Sequence, residues 1–565
     1  MNREQLQESI RRKTAVYDET LQLIRTPLTA TYHTALKSSE HPEVYALLAA
    51  AGYAYDLLES GEAEHIARAN GILERVVPLQ DRNPSSDTYG IWPYFFEEPL
   101  DQMDRPDWNM ADFHGKRLIL ILMKHRERLR AELAEQIEAA ISHACRAIII
   151  RNVGPHYTNI AIMGAFVTLV GGELLQVDEY KEYGLARMKR FYDFTFGIGT
   201  FSEYNSPCYT PIAIRELHSI AVFSASAEAV AYANELIELA WKMAGEHFHA
   251  GTGEWSGPHS RTYSTLLQPD DRKFLYEALL EESFEFGENI RCPKAYRGLF
   301  QTAQTRYLTE ATLMEADTGY QVYATLFQNK RLSLGTFSKG VMWNQRRNML
   351  AYVNVEGEPV YVQLQFLKDG GDFCSAMFAG VQARTNVLFG FNLLTDNGAW
   401  HSDLDQINGR FRSSDLRIRL KIGGVTTGLP LPEKQEGKAW QLRLGEAWLA
   451  VKLLHERSDY GELELRCERM DDAIHADYVL YSGEEREFDF HAVQESVWLF
   501  QLALNESGQL PAAQISQVGN LVKASAEMDG ETVSVALSIA PGQTAERYRS
   551  NEVGLPNARL RSKQA

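Results

Sequence analysis

A chain of 565 residues exceeds what one hydrophobic core ordinarily organises, so two large domains are expected. Hydrophobic residues at 45% and charged residues at 23% exclude a disordered or low-complexity protein. A formal net charge of −18 argues against nucleic acid and anionic membranes as partners, although a few local arginines can still set the field of a cleft for a small anion.

The chain opens on the polar stretch MNREQLQESIRRKTAVYDET, with no apolar segment of the kind that marks a secretory leader, and no later apolar run reads as membrane-spanning. Helical spacing of apolar residues begins at Pro42, placed for a first turn, and continues to Leu58. The same spacing predicts helices over Arg117–Ile141, Asn159–Leu175, Tyr180–Phe196, Pro211–Ser226 and Ala227–Ala244. From about residue 300 the rhythm becomes that of strands: Gln321–Phe327, Pro359–Phe366, Asp415–Ile422, Ala447–Leu453, Glu462–Cys467 and Thr532–Ser538. Turn residues punctuate this half at Glu356-Gly357, Asp369-Gly370-Gly371, Asp396-Asn397-Gly398 and Asp529-Gly530. Helices followed by a long series of strands imply segregated α and β domains. The tail after about Arg547 is polar and expected to fray. Five cysteines, Cys145, Cys208, Cys292, Cys374 and Cys467, show no paired spacing, which fits a reducing compartment and makes the cytoplasm the expected location.

Four polar and aromatic clusters lie in the helical half: Asp107-Trp108-Asn109 with Asp112, His156-Tyr157-Thr158-Asn159, Glu203 to Tyr209, and His259-Ser260-Arg261-Thr262-Tyr263. From Asp107 through His156 and Tyr209 to His259 the steps are 49, 53 and 50 residues. An antiparallel helix pair with its loops takes roughly 40–50 residues. Each cluster therefore falls at one phase of its hairpin, near a helix start. If the hairpins close into a ring, the starts of the inner helices share a rim and the clusters meet at one cleft. Helix N-termini there favour an anionic ligand. Taken singly, each of these residues also reads as a helix cap or as loop packing.

The segment Phe201-Ser202-Glu203-Tyr204-Asn205-Ser206-Pro207-Cys208-Tyr209 resembles one in the heparinase II/III-like and alginate-lyase-like enzymes, with one extra residue after Glu203. Tyr157-Thr158-Asn159-Ile160-Ala161-Ile162-Met163 looks like their Asn- or His-bearing helix start. The resemblance implies an incomplete (α/α) toroid over residues 1–295, an antiparallel β-sandwich over 296–545 and a polar tail over 546–565. It also implies a lyase acting on a uronate-containing oligosaccharide. Their His-x-His-x-Asp signature is absent in that form; His401-Ser402-Asp403 is the nearest segment, and no zinc ligand set is evident.

β-Elimination beside a uronate needs the carboxylate neutralised, a base for the C5 proton and an acid for the leaving oxygen. Tyr209 is the expected proton shuttle, as the resemblance implies, and His156 a base or carboxylate partner. Asn159 and Arg261 are expected to neutralise the uronate, with His259 or Tyr263 assisting. Trp92 and Trp108 are expected as stacking walls, and Asn109, Asn205, Tyr263 and His401 as further substrate contacts. No cofactor is expected, and assembly into a homo-oligomer stays open. Three alternatives stand beside this reading. A glycoside hydrolase would use paired carboxylates drawn from Asp112, Glu203, Glu216 and Glu254, about 5–10 Å apart. A metal site would use His247, His249 and His259. The third is a carbohydrate-binding protein without catalysis.

Overall fold

The computed structural model describes residues 3–30, 33–280, 290–314, 321–401, 404 and 406–555. The chain divides into two compact units, each discontinuous in sequence. The first is Met1–Gly197, Pro211–Ala240 and Lys273–Cys292; the second is Ile198–Thr210, Trp241–Arg272 and Pro293–Ala565. The single boundary expected at residue 295 is thus replaced by several crossings, because two loop segments of the helical half pack with the strands.

The first unit is helical: α1 (Arg3–Thr14), α2 (Leu47–Ser60), α3 (Ala63–Val76), α4 (Met110–His125), α5 (Ala131–Arg151), α6 (Thr158–Leu175) and α7 (Asp178–Ile198). It shares α8 (Tyr209–Phe223) and α9 (Ala227–His247) with the second unit. Helix α2 packs on α4 and α4 on α6, while α3 packs against α2 and α5 against α4. Lys116 of α4 pairs with Glu216 of α8, and Phe166 of α6 meets Phe223 of α8 edge-on at 6.5 Å. These contacts make α2, α4, α6 and α8 the inner helices of an incomplete (α/α) toroid.

Inner position explains the composition of α6. It has no polar stripe, and nearly every residue from Thr158 to Gly172 is buried, as a helix enclosed on all sides requires. Contrary to the expectation that no apolar run reaches membrane-spanning length, α6 is long and apolar enough by length and composition, with 83% of it buried inside the protein. Gly184 lets α7 close on it, since a Cβ there would stand 2.4 Å from the Leu169 backbone nitrogen.

Two helix expectations are corrected. Pro42 does not begin a helix; Glu43–Tyr45 is a strand and α2 starts at Leu47. The continuous helix expected over Arg117–Ile141 breaks at Arg126–Leu129 into α4 and α5. The cause is tertiary. Buried Asn70 of α3 donates to the Arg128 carbonyl at 3.0 Å and accepts the Arg130 N–H at 2.9 Å, fixing the turn from outside.

The second unit is dominated by two antiparallel sheets, of nine and seven strands among the described residues. They form a β-sandwich over one core, with Val362, Leu364, Ile418 and Leu420 from the first sheet and Phe389, Phe391, Phe500 and Leu502 from the second. A four-stranded sheet covers the other face of the seven-stranded one, enclosing Val381, Leu388, Leu499, Val522 and Val535. Leu388 and Phe389, adjacent on one strand, therefore enter different cores. This is why Ala376–Ala383 and Asn386–Leu393 are buried throughout, whereas Arg410–Gly424 alternates buried with accessible. Glu356-Gly357, Asp369-Gly370 and Asp529-Gly530 are tight turns with φ positive at both residues. The tail expected from 546 is partly structured, with a helix over Thr544–Ser550 and a strand over Glu552–Gly554.

Candidate functional site

The site is built around the start of α8. Ser206 Oγ accepts the Tyr209 backbone N–H at 3.1 Å and donates to the Arg261 carbonyl at 2.6 Å. One hydroxyl thus caps the helix and ties it to the loop bearing Arg261. Asn205, at φ 49°, donates through Nδ2 to the Ser256 and Pro258 carbonyls at 2.8 Å each and accepts the Trp255 indole N–H at 2.6 Å. His259 Nδ1 reaches the Asn205 carbonyl at 2.7 Å. The backbone of His259 exchanges hydrogen bonds with Arg347, and the Thr262 N–H donates to the Gln345 carbonyl at 2.7 Å. Gly335 permits this close approach, because a Cβ there would stand 1.9 Å from the Gly257 carbonyl oxygen.

On this frame the Arg261 guanidinium donates through Nη1 to Glu203 and through Nε to Gln345, each at 2.8 Å. Its centre lies 4.3 Å from the Tyr209 ring centroid and 5.9 Å from that of Trp343. Tyr209 and Tyr263 share a hydrogen bond of 2.5 Å between their hydroxyls. Tyr209 is 9% exposed and Tyr263 56%, so the pair opens to solvent through Tyr263. Gln345 also donates through Nε2 toward His401 Nε2 at 2.7 Å, and the Asn344 amide nitrogen lies 3.4 Å from His401 Nδ1. Asn344 Oδ1 is buried with no hydrogen bond among the described residues. Exchange of its amide oxygen and nitrogen would let it accept from Nδ1–H, leaving Nε2 as the acceptor for Gln345.

Burial raises the Tyr209 phenol well above its ordinary value. Arg261 opposes this rise, while Tyr263 and Glu203 add to it. Burial alone would lower Arg261, but attraction to Tyr209 and Glu203 holds it above its usual range. The phenol is therefore a protonated donor at neutral pH beside a permanent cation.

Tyr209, Arg261, Tyr263 and His401 thus come together as expected residues, all within the second unit. Two other expected residues there are corrected. Asn205 is fully buried with both side-chain groups spent on the loop, so it offers nothing to a substrate. His259 is 1% exposed with Nδ1 engaged by the Asn205 carbonyl, and burial lowers its pKa to about 3, so it is neutral and sealed from solvent. Ser402 and Asp403 lie outside the described residues. Trp343, Asn344 and Gln345 were missed; their signal is a polar break, Trp343-Asn344-Gln345-Arg346-Arg347, between apolar strands.

The two earlier clusters meet each other in the first unit. Asn109 donates to the Tyr157 hydroxyl at 3.4 Å and accepts from Arg151 at 2.7 Å. His156 is exposed in the turn before α6, and Asn159 is buried in its first turn, with Oδ1 unpaired among the described residues. Trp108 is 42% exposed and donates to the Asp87 carbonyl at 2.8 Å. Trp92 is corrected: it is fully buried, stacked on His114 at 4.7 Å and bonded to the Val76 carbonyl, so it is core and not a cleft wall.

The alternative chemistries fare less well on geometry. Glu254 is sealed, paired with Arg272 and accepting the Leu267 N–H; Glu216 is paired with Lys116. Asp112 is fully buried, and burial raises its pKa to about 7 against the pull of Arg187 and Arg151. His247 is engaged by Tyr204 and the Met243 carbonyl, and His249 by Thr252 and the Asn329 carbonyl. Among the described residues no three His, Cys, Asp or Glu side chains form a group able to hold a metal ion.

Residues 4–270 match a family described as "Domain of unknown function (DUF8769)". No curated protein matches the chain. Among solved structures, the chain is similar to a chondroitin AC lyase of Streptomyces coelicolor A3 in complex with chondroitin sulphate. That match has 10% identity and a TM-score of 0.47, over 94% of this chain and 87% of that one. It is similar to a heparinase III at 9% identity and a TM-score of 0.40, over 87% and 82%. A heparan sulfate lyase HepC mutant from Pedobacter heparinus aligns at 8% identity and a TM-score of 0.35, over 95% and 94%.

Proposed function

We propose that this protein is a lyase that cleaves a uronate-containing oligosaccharide by β-elimination, acting on short chains in the cytoplasm. The observation that carries this reading is the Tyr209 phenol, stacked under Arg261 and hydrogen-bonded to the accessible Tyr263. In elimination the electron pair of the C5–H bond becomes the C4–C5 double bond as the C4–O bond breaks. One proton leaves C5 and one reaches the leaving oxygen. Arg261 supplies positive charge for the uronate carboxylate and so acidifies C5. Tyr209, kept protonated by burial, is the donor to the leaving oxygen. As Tyr209 gives up its proton it takes the one on the hydrogen-bonded Tyr263 hydroxyl, and the Tyr263 oxygen takes the C5 proton, so both phenols end protonated.

Hydrolysis would require a second free carboxylate beside Glu203. Glu203 is tied to Arg261, and Glu254, the other carboxylate weighed in this unit, is sealed with Arg272. The test is ultraviolet absorbance during incubation with a panel of uronate-containing oligosaccharides. Elimination creates an absorbing conjugated double bond. Reducing ends formed without absorbance would refute the proposal, as would no cleavage of any substrate.

A further inference from the structure

The inner helices of the first unit enclose a cavity of about 650 Å³, well within the range of small-molecule sites. Helix α1 contributes Leu6, Ser9 and Lys13 to its wall. Five cations line it, Lys13, Lys116, Arg117, Lys124 and Arg215, against three carboxylates, Asp56, Glu59 and Glu216. Each carboxylate is already engaged. Asp56 accepts from Ser9 Oγ at 2.8 Å and pairs with Lys13; Glu216 pairs with Lys116 at 2.6 Å; Glu59 pairs with Lys124 at 3.2 Å and with His125. The three carboxylates are thus spent on Lys13, Lys116 and Lys124, and none of them pairs with Arg117, in a chain whose net charge is −18.

Among the described residues the Arg117 guanidinium makes no hydrogen bond or ion pair, and it lies over the Tyr55 ring, 5.4 Å from the centroid. A guanidinium with no hydrogen-bond partner keeps its planar N–H fork, which matches two oxygens of a carboxylate, sulfate or phosphate group. Leu48, Leu120, Met163 and Phe223 add apolar surface to the same wall, suited to the body of an organic ligand.

We infer that this cavity is a binding site for a small organic oxyanion, with Arg117 as the residue that takes the anionic group. The inference does not rest on the elimination chemistry, since every residue used here belongs to the first unit.

The test is titration calorimetry of the full chain with glucuronate, glucose 6-phosphate, glucose 6-sulfate and inorganic phosphate, with glucose as the neutral control. Saturable binding of at least one organic anion and none of glucose is expected, and the strongest anion identifies the group recognised. Arg117→Gln should weaken that binding by about tenfold or more, the loss of a charge-assisted fork. Tyr209→Phe should leave it unchanged while removing turnover. Should Arg117→Gln fail to fold, Leu120→Trp fills the cavity without altering charge and should abolish binding. No binding by any anion, binding of inorganic phosphate alone, equal binding of glucose, or undiminished affinity in a folded Arg117→Gln or Leu120→Trp protein would overturn the inference.

Discussion

The Arg261 guanidinium lies 4.3 Å from the centre of the Tyr209 ring, while the Tyr209 hydroxyl is turned to Tyr263. The cation thus contacts the phenol through its π-face and leaves the hydroxyl edge for proton chemistry. Replacing Tyr209 by Phe keeps the stacked ring and removes only the hydroxyl. The expected result is loss of cleavage by at least about 10²–10⁴-fold, with stability lowered by about 1 kcal/mol for the lost hydrogen bond. Progress curves at the absorbance of the unsaturated product, with urea denaturation alongside, measure both.

Arg261→Lys preserves charge but not the planar fork that reaches Glu203 and Gln345 together. A large fall in kcat is expected despite the conserved charge. Near-normal kcat in this variant would show that the field alone suffices and that the stacking on Tyr209 is incidental.

Gln345 joins Arg261 to His401, accepting from one and donating toward the other. It is a positioning residue. Gln345→Ala should lower kcat and alter the pH profile of the rate, since the His401 ring loses the amide beside Nε2. Gln345→Asn, one methylene shorter, should not restore it. An unchanged pH profile in Gln345→Ala would count against the link.

Buried His259 gives a pH dependence of stability with a definite sign. Its folded pKa of about 3 lies below the ordinary 6.5, so in the window between them the unfolded chain binds a proton that the folded protein refuses. Stability therefore falls as the pH drops from 6.5 toward 3, by on the order of 1 kcal/mol per pH unit from this residue. His114, also lowered to about 3, acts in the same direction. Asp112, raised to about 7 from 3.8, acts oppositely between those values. His259→Gln should flatten the acid side of a melting-temperature profile while changing the rate near neutrality only a few-fold, and a collapse of kcat there would restore His259 as a base.

The two tryptophans expected as cleft walls should separate cleanly. Trp92→Ala deletes a fully buried ring and should cost about 3–5 kcal/mol of stability by denaturant unfolding. Trp108→Ala removes a 42% exposed ring and should leave stability within about 1 kcal/mol, with any effect falling on KM.

Much of the architecture was legible because burial writes itself into composition. Helix α6 was expected from its apolar spacing and the half-exposed strand Arg410–Gly424 from its Asp415–Ile422 part, whereas the doubly covered strands Ala376–Ala383 and Asn386–Leu393, buried on both faces, were not among the expected strands. The break between α4 and α5 was not legible, since it depends on Asn70 from another helix. Even spacing placed the first three clusters at the starts of α4, α6 and α8, but not the fourth, which lies in a loop before the next helix start at Pro269. It did not show that Asn109 would pair with Tyr157 and Arg151, or that the Tyr209 and Arg261 clusters would interlock through Ser206. Nor does any local pattern join Arg261 to Gln345, 84 residues away. Aromatic residue type was a poor guide to position, as Trp92 shows.

Main-chain pairing between His259 and Arg347, and between Thr262 and Gln345, anchors the segment that carries the cation. Between these two anchors Ser260 and Arg261 form a bend, so the direction of the guanidinium depends on both pairings. A slip of one residue would present Ser260 or Thr262 where Arg261 now stands and turn the guanidinium away from the phenol. The orientation of the charge is thus inherited from amide-to-carbonyl register, and insertions between Gly257 and Arg261 should silence the protein more surely than many side-chain replacements in the same loop.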